Sequence, residues 1–210
     1  MQLLSVNIGQ PEPIAAKDGQ SGIFKRPTAQ PVHIGRLGLA GDHIQDTKHH
    51  GGPDQAVYVY TQPDYEHWAA LLSTELAAGT FGENLLISEL ESASLPIGTR
   101  LRVGAALLEI TSARIPCGTL AARMDDPKFV KTFRRVRRPG FYARVLEEGA
   151  VSAGDAVTLE RQLPGDAPNV LDAFEFFYAK APTRPQMERL LSAPIHHKMR
   201  SELETRLAKL

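Results

Sequence analysis

The stretch "IGTRLRVGAALLEITSA" at residues 97–113 decides the fold. Its apolar residues are interrupted at Gly104–Ala105, which is typical of two β-strands joined by a tight turn. "LLSVNIG" (3–9), "AVYVY" (56–60) and "GDAVTLERQ" (154–162) are further short apolar, β-branched or aromatic runs bounded by turn residues. Many short strands with little helical periodicity favour an antiparallel barrel or a bent sandwich. The sequence therefore predicts a mainly β domain with some α structure.

One helix is expected to interrupt the strands, in "TQPDYEHWAALLSTEL" (61–76). Its large apolar residues, including Trp68, recur at helical spacing and share one face. Thr61 and Asp64 have the spacing of a capping box. We expect Trp68 to be a core residue, because aromatic residues on the apolar face of a helix are usually packed.

A domain boundary is predicted in "RQLPGDAPN" (161–169), which holds two prolines and a glycine before a candidate N-cap at Asn169. We place a β domain at residues 1–162 and a helical domain at residues 163–210. The second domain shows three short helical patterns, each too short to be stable alone. They are expected to form a small three-helix bundle, with apolar faces that include Val170, Phe174, Phe177, Met187, Leu190, Leu191, Met199, Leu203 and Leu207.

Composition excludes several classes of protein. The chain has 210 residues, a formal net charge of +0, and no long apolar run or basic leader at its start. A neutral chain argues against general nucleic-acid binding, and the absence of a long apolar run argues against a membrane span. With a single cysteine, no disulfide can form within the chain, which suits a reducing compartment. We expect a soluble cytoplasmic protein.

That cysteine, Cys117, lies in "TSARIPCGTL" (111–120). Pro116 disfavours helical geometry at the residue before it, and "GTL" can begin a short helix. A cysteine at a helix N-terminus near Arg114 has a stabilised thiolate, suited to metal ligation, nucleophilic attack or persulfide transfer. Buried, inert packing is the ordinary alternative for a cysteine. These residues alone leave both interpretations open.

The densest polar segment is "GLAGDHIQDTKHHGGPDQAVYVY" (38–60). Imidazole and carboxylate groups together suit zinc or iron, although the spacing matches no familiar zinc pattern. Alternatively, the turn at Gly51–Gly52 can direct backbone amides at an anion while neighbouring side chains place a proton. An inactive surface loop is the third possibility. The candidate side chains are His43, Asp46, His49, His50 and Asp54.

Two more segments are candidate binding elements. "GTFGENLLIS" (79–88) is a glycine loop entering a strand, where Asn84 can recognise a heterocycle or cap a turn. "KTFRRVRRPG" (131–140) is a basic run, either an exposed helix face or a site for one phosphorylated small molecule.

In this order, "SGIFKRP", "GLAGD", "HGGPDQAVYVY", "FGENL", "IGTRLRVGAALLEI", "RIPC" and "PGFYARVLEEGAVSAGDAV" resemble the MOSC-domain family (molybdenum cofactor sulfurase C-terminal domain), in its YiiM-like bacterial branch. The resemblance implies a MOSC-type antiparallel β-barrel plus a small C-terminal three-helix bundle. It also implies a molybdenum–pterin cofactor, with Cys117 as the molybdenum ligand.

The resemblance further implies roles for other residues. His49, His50 and Asp54 are the candidate catalytic proton donors beside Cys117. The implied cofactor-binding residues are Lys25, Arg36, Gly51, Gly52, Gly82, Glu83, Asn84, Arg114, Arg138 and Arg144.

The implied reaction is reduction of N-hydroxylated bases or related small molecules to amines, with electrons from a separate donor protein and no nucleic-acid or membrane partner. Two alternatives stay open. One is a carrier of sulfur or molybdenum cofactor that uses a Cys117 persulfide. The other is a zinc or iron hydrolase that uses the histidine loop. The sequence leaves the oligomeric state open.

Overall fold

The computed structural model of the protein describes residues 1–16, 19–161 and 163–209. The strands are β1 (Leu3–Ile8), β2 (Glu12–Pro13), β3 (Gln20–Ser21), β4 (Arg26–Pro27), β5 (Val32–Gly35), β6 (Gly38–Leu39), β7 (Val57–Thr61), β8 (Leu85–Ile87), β9 (Arg100–Val103), β10 (Ala106–Ala113), β11 (Phe141–Glu147), β12 (Gly149–Val151) and β13 (Val157–Arg161). The α-helices are α1 (Gln62–Leu72), α2 (Gly118–Arg123), α3 (Phe129–Val136), α4 (Val170–Tyr178), α5 (Arg184–Leu191) and α6 (His197–Leu207). Short 3₁₀ turns span Pro53–Gln55 and Ser92–Ser94.

Strands β9 and β10 form the predicted hairpin, with Gly104 and Ala105 between them. Gly104 has φ +51°, and a Cβ there would meet the Asp155 carboxylate, so the turn requires glycine. The hairpin belongs to an eight-stranded sheet in the order β13-β9-β10-β11-β7-β8-β1-β4. The two smaller sheets are β12-β5-β6 and β2-β3. The prediction of a mainly β fold with helices is confirmed.

The large sheet is mixed, so the prediction of a wholly antiparallel sheet is wrong at one pair. Strands β7 and β8 pair in parallel, Val59 opposite Leu85. The cause is α1, which lies between them in the chain, because parallel neighbours need a crossover connection that is usually helical.

The sheet curls so that its ends approach each other without forming a complete barrel among the described residues. Gln2 and Ala156 form an isolated antiparallel bridge next to the start of β13. The Leu3 backbone N–H donates to Asp155 O (2.9 Å), and Gly154 N–H donates to Leu3 O (2.8 Å). These bonds connect the N-terminal strand to the far end of the sheet order.

Helix α1 covers one part of the sheet through aromatic packing. Trp68 is fully buried, as predicted, and its Nε1–H donates to the Tyr60 hydroxyl (2.8 Å). Phe81 stacks on Tyr60, with 4.8 Å between ring centroids. The expected capping box is wrong: the Thr61 hydroxyl donates to the Asp64 carboxylate (2.8 Å) instead of accepting a backbone N–H.

The C-terminal helices dock on the sheet and share its hydrophobic core. Asn169 caps α4 in a complete capping box with Asp172, which confirms the predicted N-cap. Val170 N–H donates to Leu95 O (3.0 Å), and His196 N–H donates to Thr111 O (3.1 Å). These backbone bonds fix the starts of α4 and α6 to the β domain.

Gln162, where we placed the domain boundary, lies outside the described residues, and so does Leu210; the division at 162/163 stays a prediction. Val170 and Phe174 are buried, but Phe177 is 56% exposed. Its expected place on the buried face of α4 is therefore wrong. Among the helices of residues 1–16, 19–161 and 163–209, none has the length and apolar character needed to span a membrane.

Candidate active site around Cys117

Cys117 lies at the junction between a buried strand and a short helix. Strand β10 ends at Ala113, and Cys117 is the N-cap residue of α2 in extended geometry (φ −129°, ψ 173°). Its carbonyl oxygen accepts the N–H groups of Leu120 (3.1 Å) and Ala121 (3.2 Å). The predicted helix start is confirmed, and the thiol is half-buried rather than sealed in the core.

The surroundings of Cys117 strongly favour its thiolate. Burial raises the pKa of the thiol, but a hydrogen bond from His50, the positive charge of Arg114 and the Leu120 N–H outweigh burial and lower the pKa to about 5. Arg114 Nη2 lies 3.7 Å from Sγ. At neutral pH the group is therefore an anion, which is the state that ligates a metal or acts as a nucleophile.

The position of the proton on His50 follows from its second contact. Arg114 Nη1 lies 3.0 Å from His50 Nδ1, and arginine only donates, so Nδ1 accepts. A neutral imidazole that accepts at Nδ1 carries its proton at Nε2. The hydrogen bond that lowers the pKa of Cys117 comes from this same ring.

Arg114 is buried and held by several groups. Its Nη1 donates to the Tyr142 hydroxyl (2.7 Å), and its guanidinium lies 5.7 Å from the Tyr58 ring centroid. Burial works to lower the Arg114 pKa, but Tyr142, Cys117 and Tyr58 reverse the effect and raise it. Its Nε is buried and has no hydrogen-bond partner among the described residues. Such an orphan donor at a cavity wall suits a ligand acceptor.

Two adjoining cavities share Cys117. The first, which we call the Lys25 cavity, encloses about 730 Å³ of empty space. The second, the Phe177 cavity, encloses about 1630 Å³ and reaches the C-terminal helices. Both are lined by a common set of residues, namely Ala16, Asp46, His50, Gln55, Arg114, Cys117, Thr119 and Tyr142. The sulfur therefore faces two binding spaces at once.

The Lys25 cavity contains a buried ion pair. Lys25 Nζ contacts both oxygens of Asp42. Asn84 Nδ2 donates to Asp42 Oδ2 (2.9 Å), and Gly9 N–H donates to Asp42 Oδ1 (2.8 Å). Burial lowers the pKa of Lys25, although the neighbouring Asp42 carboxylate acts to raise it. The pair places one ammonium group beside the cavity with most of its charge already compensated.

Glycines let two loops approach the Lys25 cavity. Gly51, Gly52 and Gly82 have φ values of +73°, +80° and +80°. Gly51 and Gly82 line the cavity, and a Cβ on Gly82 would lie 2.8 Å from Ile23 Cγ1. Gly52 instead begins the 3₁₀ turn Pro53–Gln55 and does not line either cavity.

Glu83 is fully buried and faces its own loop rather than a cavity. Its carboxylate accepts hydrogen bonds from the Tyr65 hydroxyl and from the backbone N–H groups of Gly79 and Phe81. Burial raises the pKa of Glu83 to about 7, although these hydrogen bonds act to lower it. Glu83 therefore holds the backbone of the loop that contains Gly82.

Asp54 fastens helix α6 to the sheet instead of lining a cavity. One oxygen lies 3.0 Å from Arg144 Nη2, and the other accepts from His197 N–H and contacts His197 Nδ1, both at 2.8 Å. Burial opposes ionisation, yet the His197 bonds and Arg144 hold the pKa of Asp54 below its usual value. The structure therefore places Asp54 and Arg144 together, but away from the cavity linings.

The remaining candidates are dispersed. His49 lines the Phe177 cavity and contacts Asp46 (2.8 Å). Arg36 is exposed and pairs with Glu148. Arg138 contacts Asp64 (2.9 Å) and Glu91 (3.1 Å), outside both cavity linings.

The metal interpretation of the histidine loop gains no support from geometry. Within the described part of the chain, the cluster with ligand atoms close enough to share a metal is Asp54, His196 and His197. His49 and His50 are not members of it.

Sequence reasoning missed Asp42, Tyr58, Tyr142 and Gln55 as site residues. Tyr142 stands opposite Ser112 in the register of β10 and β11, which brings it beside Arg114. Asp42 and Gln55 were within the quoted histidine loop, and their polarity next to glycine turns was the available signal.

A model of the MOSC domain matches residues 46–158, more than half of the chain. The chain belongs to the MOSC-domain family. "Uncharacterized protein YflK" of Bacillus subtilis is 35% identical over 193 residues, covering 90% of this MOSC chain and 86% of YflK. A Gibberella moniliformis protein named "Reductase" is 33% identical over 149 residues, covering 69% of this chain and 26% of that protein.

The crystal structure of YiiM from Geobacillus stearothermophilus is similar over 98% of both chains, with a TM-score of 0.79 and 26% identity. That similarity extends the MOSC resemblance to the C-terminal helices, which lie beyond residue 158. The YiiM-like architecture inferred from the sequence motifs is confirmed. MOSC membership and the reductase-named relative together support a function related to the molybdenum cofactor.

Proposed function

We propose that this protein is a molybdenum-cofactor-dependent oxidoreductase that reduces N-hydroxylated bases or related N-hydroxylated small molecules to amines, with Cys117 as the molybdenum ligand. The observation that carries the proposal is the Cys117 thiolate, with its pKa lowered to about 5, at the junction of two cavities in a MOSC-family chain. A soft thiolate is the donor that a thiophilic metal prefers.

The residues present fit such a cofactor on the side of the Lys25 cavity. This cavity opens beside Cys117 and is lined by both polar and apolar side chains. Arg114 contributes an unpartnered buried Nε, which suits an acceptor atom of a ligand. Gly51, Gly82 and Asn84 line the same space and would let a flat ligand approach the backbone. Lys25 supplies an ammonium there.

Reduction of an N-hydroxylated amine takes two electrons and two protons, breaks the N–O bond, and yields an amine and water. When bound, the molybdenum–pterin cofactor supplies the two-electron redox chemistry. The chain itself holds Cys117 as an anion and places the His50 ring within hydrogen-bonding reach of the sulfur. His50 is therefore our proposed proton donor, with the exposed His49 at the Phe177 cavity as a route to solvent.

We propose that electrons come from a separate donor protein. With a single cysteine, the chain lacks the set of thiolates that holds an iron–sulfur cluster of its own.

Metal analysis of protein made in a host that produces the cofactor tests the proposal. We expect molybdenum close to one equivalent in the wild type and its loss in Cys117→Ala, with Leu71→Ala, an exposed site on α1, as the matched control. The wild type should also convert 6-hydroxylaminopurine to adenine with a chemical electron donor. Molybdenum that is equally low in the wild type and in Cys117→Ala would refute the proposal.

A sulfur or cofactor carrier is the second candidate, favoured by the half-buried thiolate next to a wide cavity. A persulfide on Cys117 would release thiocyanate when treated with cyanide. Detection of this sulfur in the wild type but not in Cys117→Ser, without turnover of hydroxylamines, would favour the carrier over the reductase.

A further inference from the structure

Helices α4 and α6 supply an apolar wall to the Phe177 cavity. Phe177 from α4 is 56% exposed, an unusual state for a phenylalanine, and it lines this space. Met199 from α6 is partly buried and lines the same space. An exposed aromatic ring beside a thioether forms a flat, adaptable surface of the kind on which planar rings stack. Both lie on the segment beyond the MOSC match.

The β structure contributes polar groups to this wall, and two of them have unsatisfied atoms. Ser112 lies on β10 and Gln55 on the 3₁₀ turn, and both line the Phe177 cavity. Ser112 Oγ and Gln55 Oε1 are buried without a hydrogen-bond partner among the described residues. Buried polar atoms are normally paired, so these two atoms suit the polar edge of a ligand.

Several of the charged groups around this cavity already have hydrogen-bond or ion-pair partners. Lys198 Nζ donates to Lys48 O (2.6 Å), Glu202 pairs with Arg206, and His49 contacts Asp46. Arg114 is held by Tyr142 and Cys117. A flat ring stacked on Phe177 and Met199 need not displace any of these partners.

We propose that Phe177 and Met199 form the stacking face of a subsite for a flat aromatic or heteroaromatic ring, and that Ser112 and Gln55 bind its polar edge. The inference rests on the proposed function for one step only, namely that the ring belongs to the substrate reduced next to Cys117. The helical segment then contributes specificity residues in addition to covering the sheet. The proposal assigns α4 and α6 a direct role in substrate choice.

Methionine-methyl NMR tests the subsite with adenine as the probe. The chain has four methionines, Met1, Met124, Met187 and Met199. Adenine should shift the Met199 methyl resonance and leave that of the buried Met187 unchanged, whereas cyclohexanol, neutral but not flat, should shift neither. Equal shifts at all four methyls, or none at Met199, would overturn the proposal.

Variants of Phe177 test the stacking face. Phe177→Ala should weaken adenine binding about tenfold, the order expected when a base loses an aromatic platform, while Phe177→Tyr should keep it. Leu71→Ala, at another exposed apolar residue, should bind as the wild type does. Unchanged affinity in Phe177→Ala overturns the proposal, since an exposed side chain can be removed without unfolding the protein.

The two proposals fail in different ways. In molybdenum-loaded protein, Phe177→Ala should raise KM about tenfold for a flat N-hydroxylated base and leave kcat within about twofold, because uniform binding is lost. Adenine binding at Met199 in a protein that retains no molybdenum would support the subsite and refute the reductase. Full molybdenum content with no adenine response at Met199 would support the reductase and refute the subsite.

Discussion

Replacing His50 with alanine should raise the pKa of the Cys117 thiol and slow its alkylation in weak acid. The pKa falls from its ordinary value of 9.0 to about 5, and each pKa unit corresponds to about 1.4 kcal/mol. The folded protein therefore favours the thiolate by about 5 kcal/mol. A hydrogen bond to a charged group contributes about 1.5–3 kcal/mol. Loss of the His50 bond should therefore move the pKa to between about 6 and 7.

The rate of alkylation by iodoacetamide measures this pKa directly, because Cys117 is the single cysteine of the chain. Protein made without molybdate leaves the sulfur free. At pH 6 about nine tenths of Cys117 is thiolate for a pKa of 5, but only about one tenth for a pKa of 7. The rate at pH 6 should thus fall by up to about tenfold in His50→Ala.

His49→Ala is the matched control, because the exposed His49 ring contacts Asp46 and not the sulfur. It should leave the midpoint of the rate profile near pH 5. A wild-type midpoint above pH 8 would refute the reasoning. So would the same midpoint in His50→Ala and wild type, or an equal shift in His49→Ala.

The same pKa has a consequence for stability. The thiolate is favoured in the folded state, so its stabilisation is complete above the unfolded pKa near 9 and is lost as the pH falls through about 5. Between these values Cys117 should add at most about 1.4 kcal/mol to the free energy of unfolding per pH unit. Urea denaturation at pH 6, 7 and 8 should show that Cys117→Ala lacks this slope.

Three further changes test the surrounding structure. Asp54→Asn should lower the thermal midpoint by about 2–4 °C per kcal/mol lost, because the bonds to His197 weaken; a changed Cys117 alkylation midpoint in this variant would instead give Asp54 a role at the sulfur. Burial lowers the pKa of His196 to about 4, so its contribution to stability is lost as the pH falls from about 6.5 to 4. In urea titrations over that range, the free energy of unfolding of His196→Gln should therefore decline less steeply than that of the wild type. Trp68→Ala should cost about 3–5 kcal/mol in urea denaturation, whereas Leu71→Ala at an exposed position should cost less than about 1 kcal/mol. Similar losses in the two variants would contradict the assignment of Trp68 to the core.

Turns and helix ends could be predicted from the sequence where a single short segment determines them. The β9–β10 turn, the Asn169 N-cap and the helix start at Cys117 each depend on neighbouring residues, and each was predicted. The parallel pairing of β7 and β8 was missed, although a strand, a helix and another strand in succession was a usable signal.

Long-range partners were not readable. The arginine run suggested a phosphate site, but nothing near Arg138 in the sequence shows that it pairs with the buried Asp64. Periodicity placed Phe177 on the face of Phe174, yet periodicity defines a face without defining what covers it. Tyr142 reaches Arg114 only through the register of β10 and β11. The sequence suggested Asp54 as a proton donor but did not reveal its partner His197, which lies 143 positions later in the chain.

The bridge between Gln2 and Ala156 has a consequence for synthesis of the chain. A ribosome releases β1 first, yet the backbone groups of Leu3 find their partners only when residues 154 and 155 emerge. For most of translation this end of β1 remains an unpaired sheet edge, the kind of surface that invites intermolecular pairing. A nascent chain stopped before residue 154 should therefore aggregate or recruit a chaperone, whereas one that extends past residue 157 can join the two ends of its sheet.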